Sequence, residues 1–327
     1  MEMIFIVDTQ TDPYLNLAAE EYLLRDFREP VFRLWSNAPC VVIGKNQNAM
    51  AEIDIDYVRQ NGIKVVRRLS GGGAVFHDLG NVNFTFIETR RNGEDTGDLF
   101  RRFTAPILDA LQTLGVDARL SGRNDLTIDG RKFSGCAICV EHDRVLMHGT
   151  LLFNASMPAL AGALRNRRLK YSDKAVKSNI SRVTNISSHL PEPMTVEQFT
   201  GFLADHIGRD YPQYSYTAAD LAAIENLAAE KYSTDAWNFA ASPKYSFSNS
   251  AKLPCGVVEI TFDVAGGAIS RLNITGDFFF TRPIEEFCEM MAGCPHSKEK
   301  IAGRISEIGP GDYFGIVSCE QLSDMFF

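Results

Sequence analysis

A chain of 327 residues, 45% hydrophobic and 23% charged, has the composition of a folded globular protein with room for a large domain and a small one. A formal net charge of −8 argues against binding nucleic acid by bulk electrostatics, and no apolar run reaches the 18 or so residues of a membrane span. Seven scattered cysteines, an odd number, fit reduced thiols in a cytoplasm, and the opening MEMIFIVDTQTDP lacks the charged and long apolar regions of a leader. A cytoplasmic protein with no nucleic-acid or membrane partner is expected.

In chain order, IFIV near the start and VFRLW at 31–35 read as strands. Between them Asp12 caps, and Pro13 opens, a helix to about Phe27. CVVIG and IKVVRR are β-branched strand runs. The triple glycine at 71–73 leads into AVFH and a hairpin expected at DLGN. DLFRRFTAPILDALQTLG reads as a helix capped at Asp98 and stopped by Gly115. Asp129-Gly130 marks a hairpin between DLTI and RKFSGCAICV, followed by a strand at VLMHGTLLF. These elements predict an α/β (α+β) domain over a mixed or largely antiparallel sheet, not a doubly wound one.

Residues 245–327 carry six Lys and Arg against eleven Asp and Glu, so most of the acidity sits in the last quarter. The polar, proline-containing SPKYSFSNS at 242–250 reads as a linker, which divides the chain into 1–245 and 246–327.

The stretch RRLSGGGAVFHDLGN, 67–81, is neither a P-loop nor a dinucleotide fingerprint, because no Gly-Lys-Ser/Thr and no following helix accompany the glycines. Three glycines in a row let backbone N–H groups lie close against a ligand, with Arg67 or Arg68 supplying charge. Strand alternation allows only one of the two arginines to face it. A glycine bulge with solvent-facing arginines is the bland alternative. A second constellation, 122–154, sets Lys132 just past the Asp-Gly turn and His148-Gly149-Thr150 on the partner strand. A strand lysine alone is ordinarily a solvated one.

RRLSGGGAVFHDLGN, GRND, GRKFSGCA and HGTLLFN, in that order, resemble the lipoate-protein ligase family of the biotin/lipoate ligase superfamily. NLAAEE at 16–21, IGKNQN at 43–48 and SRVTNI at 181–186 extend the resemblance, and GVVEITFDVAGGAISRLNITGDF resembles the family's small α+β accessory domain. The resemblance implies a biotin/lipoate ligase-like mixed-sheet domain with helices. It further implies an enzyme that activates lipoate with ATP and Mg²⁺ to lipoyl-AMP and passes the lipoyl group to an acceptor lysine. Acceptors would be the lipoyl domains of 2-oxoacid dehydrogenases or a glycine cleavage H protein.

Carried onto this chain, the family pattern implies that Arg68 and Gly73, Ala74, Val75 and Phe76 hold the nucleotide. Lys132 would act between carboxylate and α-phosphate, where a fixed cation stabilises developing charge. Asn124 and Asp125 fall where the family handles phosphate and Mg²⁺. Lys132, Gly72, His77 and His148 would meet lipoate, and Ser181, Arg182 and Val183 would belong to a loop closing over the adenylate. Family members often carry two histidines before Gly-Thr-Leu, whereas this chain has Met147-His148. His77 and His148 remain open between ligand contact and structural hydrogen bonding. All the adenylate contacts the pattern names lie before residue 190, so the first domain alone is expected to contain the binding site, with the tail at most an aid to its closure.

Cys136 and Cys139 should point to opposite faces of their strand and lie in the core. Cys288, Cys294, His296 and Cys319 lack the spacing of a structural zinc site. The basic run RNRRLKYSDKAVK, 165–177, is either a solvated surface or a receiver of polyphosphate or of an acidic acceptor. Two other functions stay in view: an ATP-independent octanoyl or lipoyl transferase using a cysteine nucleophile such as Cys136, and a protein that binds lipoyl-adenylate without turnover.

Overall fold

The computed structural model describes residues 2–47, 49, 53, 55–122, 124–164, 183–239, 247–265 and 267–327. Its centre is a seven-stranded sheet in the order β1 (Ile4–Val7), β2 (Val31–Trp35), β6 (Asn81–Thr89), β10 (Arg144–Leu152), β9 (Arg131–Glu141), β8 (Asp125–Ile128) and β7 (Ala118–Ser121). Only β1 and β2 run parallel within it. Beside it stands a three-stranded sheet, β4 (Lys64–Arg67), β3 (Cys40–Ile43) and β5 (Val75–His77). The sheet is thus mixed and mostly antiparallel, as the hairpin signals require.

Local chemistry explains the elements. Asp12 accepts the Tyr14 N–H and Pro13 opens the helix Pro13–Arg25. Asp129 (φ 51°) and Gly130 (φ 71°) both take the left-handed conformation of a two-residue hairpin turn, joining β8 to β9. The helix Thr96–Thr113 starts two residues before the expected cap. Asp95 is the cap, and Asp98 is its reciprocal partner three residues on, a capping box that also attracts the helix dipole. That helix sets Phe100, Phe103 and Ile107 on Phe32, Phe84 and Phe86 of the large sheet, with Phe32 and Phe86 stacked at 4.7 Å.

Two expectations are corrected. DLGN does not close a hairpin: β5 pairs with β3 and β6 pairs with β2 and β10, so the turn carries the chain between sheets. Asp78 Oδ1 accepts the Gly80 N–H there, which supplies the turn without pairing the flanking strands. The end of the presumed linker is strand β11 (Phe247–Leu253), the first of a meander with β12 (Gly256–Ala265) and β13 (Ala268–Gly276); residues 240–246 lie outside the described residues. Helices Ile284–Met291 and Lys298–Ile308 cover this second sheet around its own apolar core.

Among the described residues, no helix is long and apolar enough to cross a membrane. The basic run 165–177 lies outside the described residues.

Candidate active site

Both arginines of the glycine stretch are buried, each 5% exposed, and they face different ways. Arg67 gives its guanidinium to the carbonyls of Gly44, Lys45, Gln47, Trp237 and Asn238, at 2.7 to 3.0 Å. Arg68 instead donates to Val42 O, Ser70 Oγ, Gly71 O and Gly73 O, so it holds the glycine loop in shape. Burial pulls both guanidinium groups down to about 10, which leaves them cationic at neutral pH. The solvent-facing alternative for this stretch is therefore overturned: Arg67 turns to the carbonyls at 44–47 and 237–238, and Arg68 to the glycine loop.

The loop is glycine because other chain crosses it. A Cβ on Gly71 would sit 2.3 Å from the Phe278 carbonyl oxygen, and Gly72 has φ +93° and donates its N–H to that oxygen at 3.3 Å. Alternation along 278–280 puts Phe279 into the catalytic core, edge-on to Phe100 at 5.5 Å, while Phe278 and Phe280 stay in the core of the second domain.

Loop and sheet enclose a cavity of about 130 Å³. Arg68, Gly72, Gly73, Ala74, Val75, His77, Asn124, Lys132 and His148 all border it, so the structure brings together most of the residues singled out in the sequence. Phe76 and Asp125 do not border it: the Phe76 ring packs with Val41 and Ile43. Asp125 Oδ1 lies 2.7 Å from Lys132 Nζ, an ion pair with both side chains about 40% exposed. Asn124 donates Nδ2 to Cys136 O at 2.7 Å, which leaves its Oδ1 as an acceptor. Val183 forms a bridge with Lys132, and Thr184 donates its N–H to Lys132 O at 2.8 Å. Ser181 and Arg182 lie outside the described residues.

The site read from the sequence leaves out several contributors, Gly135, Ala137, Gly149 and Thr150 of the paired strands β9 and β10 among them. Trp35, Asn83 and Phe279 border the cavity, and Phe279 comes from the tail, which supplied none of the contacts named from the sequence. Glu20 and Ser70 stand behind it. His148 Nδ1 donates to both Glu20 carboxylate oxygens at 2.9 and 3.0 Å, and its Nε2 lies 2.7 Å from Ser70 Oγ. Thr85 also donates to Glu20 at 2.6 Å. Burial alone would raise the Glu20 carboxyl, but His148, Thr85 and Arg33 hold it below its ordinary range. His148 is thus both a hydrogen-bonder and a wall of the cavity. The one advance signal for Glu20 was its place in NLAAEE, whose two glutamates are 3% and 1% exposed.

Cys136 and Cys139 are both buried, in different apolar clusters on opposite faces of β9. Cys136 borders the cavity, but burial pushes its thiol up to about 12, which works against a thiolate nucleophile.

The profile of the lipoyl protein ligase A/B catalytic domain matches residues 12–208, and that of the bacterial lipoate protein ligase C-terminus matches 242–326. Lipoate-protein ligase LplJ of Bacillus subtilis is 40% identical over 334 residues, covering 99% of this chain and 100% of the relative. LipL1 of P. falciparum, solved in complex with lipoate, superposes with a TM-score of 0.79 at 27% identity, covering 93% of this chain and 94% of that one. A lipoate-protein ligase A structure bound with ATP gives 0.64 at 26% identity, over 73% and 99% of the two chains. A clamped glycine loop facing a strand lysine across one cavity, and these likenesses over nearly the whole length, lead to one assignment: the chain belongs to the lipoate-protein ligase family.

Proposed function

We propose that this ligase activates lipoate with ATP in the cavity between the glycine loop and β9, and then forms an amide bond between the lipoyl group and a lysine of an acceptor protein. In the first step a carboxylate oxygen attacks the α-phosphorus and pyrophosphate leaves. In the second the acceptor amine attacks the acyl carbon and AMP leaves. The observation that carries this reading is Lys132, an ammonium on the rim of the same cavity that the Arg68-clamped loop encloses.

Each residue has a physical task in this scheme. Arg68, its donors spent on Ser70, Gly71 and Gly73, keeps the loop open-backed so that the backbone of Gly73, Ala74, Val75 and Phe76 can lie along the nucleotide. Lys132 sits where carboxylate and phosphate would otherwise repel. Gly72, His77 and His148 line the acyl channel. Val183, bridged to Lys132 on the rim of the cavity, helps keep water from the mixed anhydride.

Asn124 Oδ1 and the Asp125 carboxylate suit Mg²⁺, which takes one or two protein oxygens plus phosphate oxygens and waters. Bound there, the ion would neutralise phosphate charge. Lipoyl domains of 2-oxoacid dehydrogenases and a glycine cleavage H protein are the acceptors expected. Pyrophosphate release from the purified protein given ATP, Mg²⁺ and lipoate, followed by mass gain on an acceptor lipoyl domain, tests the reading. Release with no acid added, or acceptor modification from an acyl-carrier thioester without ATP, would refute it.

A further inference from the structure

The strand that carries Lys132 is loosely held where the lysine sits. The β8–β9 ladder slips by one residue there: Leu126 faces Ser134 and Thr127 faces Lys132, which leaves Phe133 as the extra residue of a β-bulge. On the other side β10 pairs with β9 from Cys136 to Glu141 and stops short of Lys132. A bulge re-aims the side chains next to it and interrupts the ladder that would otherwise fix them. Residues 183 and 184 hold the strand instead. Val183 bridges Lys132, Thr184 donates its N–H to Lys132 O at 2.8 Å, and Arg131 Nη2 donates to Val183 O at 3.0 Å.

His189 closes this contact into a staple. It ends the turn Ile186–His189, and its Nε2 lies 2.8 Å from Thr184 Oγ1, while its Nδ1 lies 3.7 Å from Asp129 Oδ2 at the β8–β9 turn. A threonine hydroxyl both donates and accepts, so the bond to Nε2 forms with either tautomer of the ring. The rest of the segment is anchored independently. The Asn185 amide accepts the Ala155 N–H and donates to Ala155 O, each at 3.1 Å, Ser187 donates its N–H to Phe153 O at 3.0 Å, and Ile186 is fully buried. Carboxylate, imidazole and hydroxyl stand in the order of a hydrolytic triad, but Thr184 is 3% exposed and none of the three borders the cavity, so they hold chain rather than attack substrate.

We propose that His189 is a positioning residue for Lys132. By tying Thr184 to the β8–β9 turn it keeps the 183–184 backbone on the bulged strand, and that contact fixes the direction of the ammonium toward the cavity. Asp129, with a side chain 78% exposed, is the weaker partner, and the buried Thr184 hydroxyl carries the staple. The proposal rests on the reading that Lys132 acts between carboxylate and phosphate.

The test measures kcat and KM of the full chain for ATP-dependent pyrophosphate release, with thermal melts to show that each variant folds. His189→Ala is expected to lower kcat about tenfold while KM for ATP and for lipoate stays within about twofold, because a misaimed donor weakens the transition state rather than ground-state binding. His189→Gln offers Thr184 an amide in place of the ring and should recover part of kcat. Thr184→Val removes the hydroxyl, keeps the backbone bond to Lys132 and should repeat the His189→Ala loss, which keeps the idea testable if His189→Ala fails to fold. In a Lys132→Ala background the His189→Ala change should cost nothing further, since no ammonium is left to aim. Equal fold-losses in the wild-type and Lys132→Ala backgrounds, or an unchanged kcat in folded His189→Ala, would overturn the staple. Near-normal pyrophosphate release by Lys132→Ala would overturn the functional reading, and the staple with it.

Discussion

Replacing Lys132 by alanine should separate fold from chemistry. The side chain is 39% exposed, and its described ion pair is with a similarly exposed Asp125 at 2.7 Å. Exposed pairs are worth about 0 to 1 kcal/mol, so stability should fall by no more than that. The contact that ties residue 184 to β9 runs through the Lys132 carbonyl and survives the change. The ammonium is another matter. About 4 Å from a phosphoryl oxygen, at an effective dielectric of about 20, a cation gains roughly 4 kcal/mol. Loss of one preorganised donor from developing charge costs about 10²- to 10³-fold in rate, or roughly 2.7 to 4 kcal/mol, so the two routes agree. Lys132→Ala is therefore expected to melt within a few degrees of the wild type and to lose adenylation by at least about 100-fold. Lys132→Arg should not restore it, because a planar fork does not replace a compact ammonium. Pyrophosphate release and transfer from preformed lipoyl-adenylate are the two assays. Near-normal rates in both for a folded Lys132→Ala protein would show that the wrong lysine had been chosen.

Cys136→Ser should retain most ATP-dependent acceptor lipoylation, since a thiol pushed up to about 12 supplies no nucleophile; a folded but inactive variant would argue for thioester transfer. Phe279→Ala removes a ring that is 8% exposed and touches both the cavity and Phe100, and should cost about 3 kcal/mol in denaturant melts while raising KM for ATP. An unchanged KM would mean that the second domain does not shape the nucleotide site. Burial alone would raise the Asp220 carboxyl, but bonds from Tyr214, Tyr22 and Thr217 hold it at about 2. Its contribution to stability is thus complete above about pH 4 and lost as pH falls through about 2. Acid titration of Asp220→Asn should show a flatter slope over that window, and a slope equal to the wild type would refute the assignment.

The strands and the hairpin turn were legible because they rest on local rules: β-branched runs, Asp-Gly at a two-residue turn, Asp12 before Pro13. The turn at DLGN was misread because pairing partners are a tertiary choice. Asp78 and Gly80 make the same turn whether the flanking strands join each other or leave for separate sheets. Within the site, the glycines and Lys132 announced themselves by type and spacing. Glu20, Ser70, Asn83 and Phe279 did not, since a helix glutamate, a loop serine and a tail phenylalanine gain meaning only once β6, β10 and the second domain converge. The helix boundary at Thr96 shows the limit of cap reading: Asp95 and Asp98 both qualify by type, and only their reciprocal bonds tell which is the cap.

The five carbonyls around Arg67 bear on the order in which the protein can be made. Two of them, from Trp237 and Asn238, lie about 170 residues downstream of the guanidinium they satisfy, and Gln213 and Tyr214 return to pair with Phe5. A nascent chain that has emerged only as far as residue 208, where the catalytic-domain profile ends, would bury Arg67 with part of its acceptors missing. A buried cation without its full shell is costly, so the strand that carries Arg67 gains its final order only when the segment with Trp237 and Asn238 docks. The shell around Arg67 therefore closes about thirty residues after the family profile does, and Phe278 and Phe279, which cross the glycine loop and border the cavity, follow later still; at 5–20 residues per second the first interval alone is a window of seconds in which a chaperone or protease meets an unfinished site.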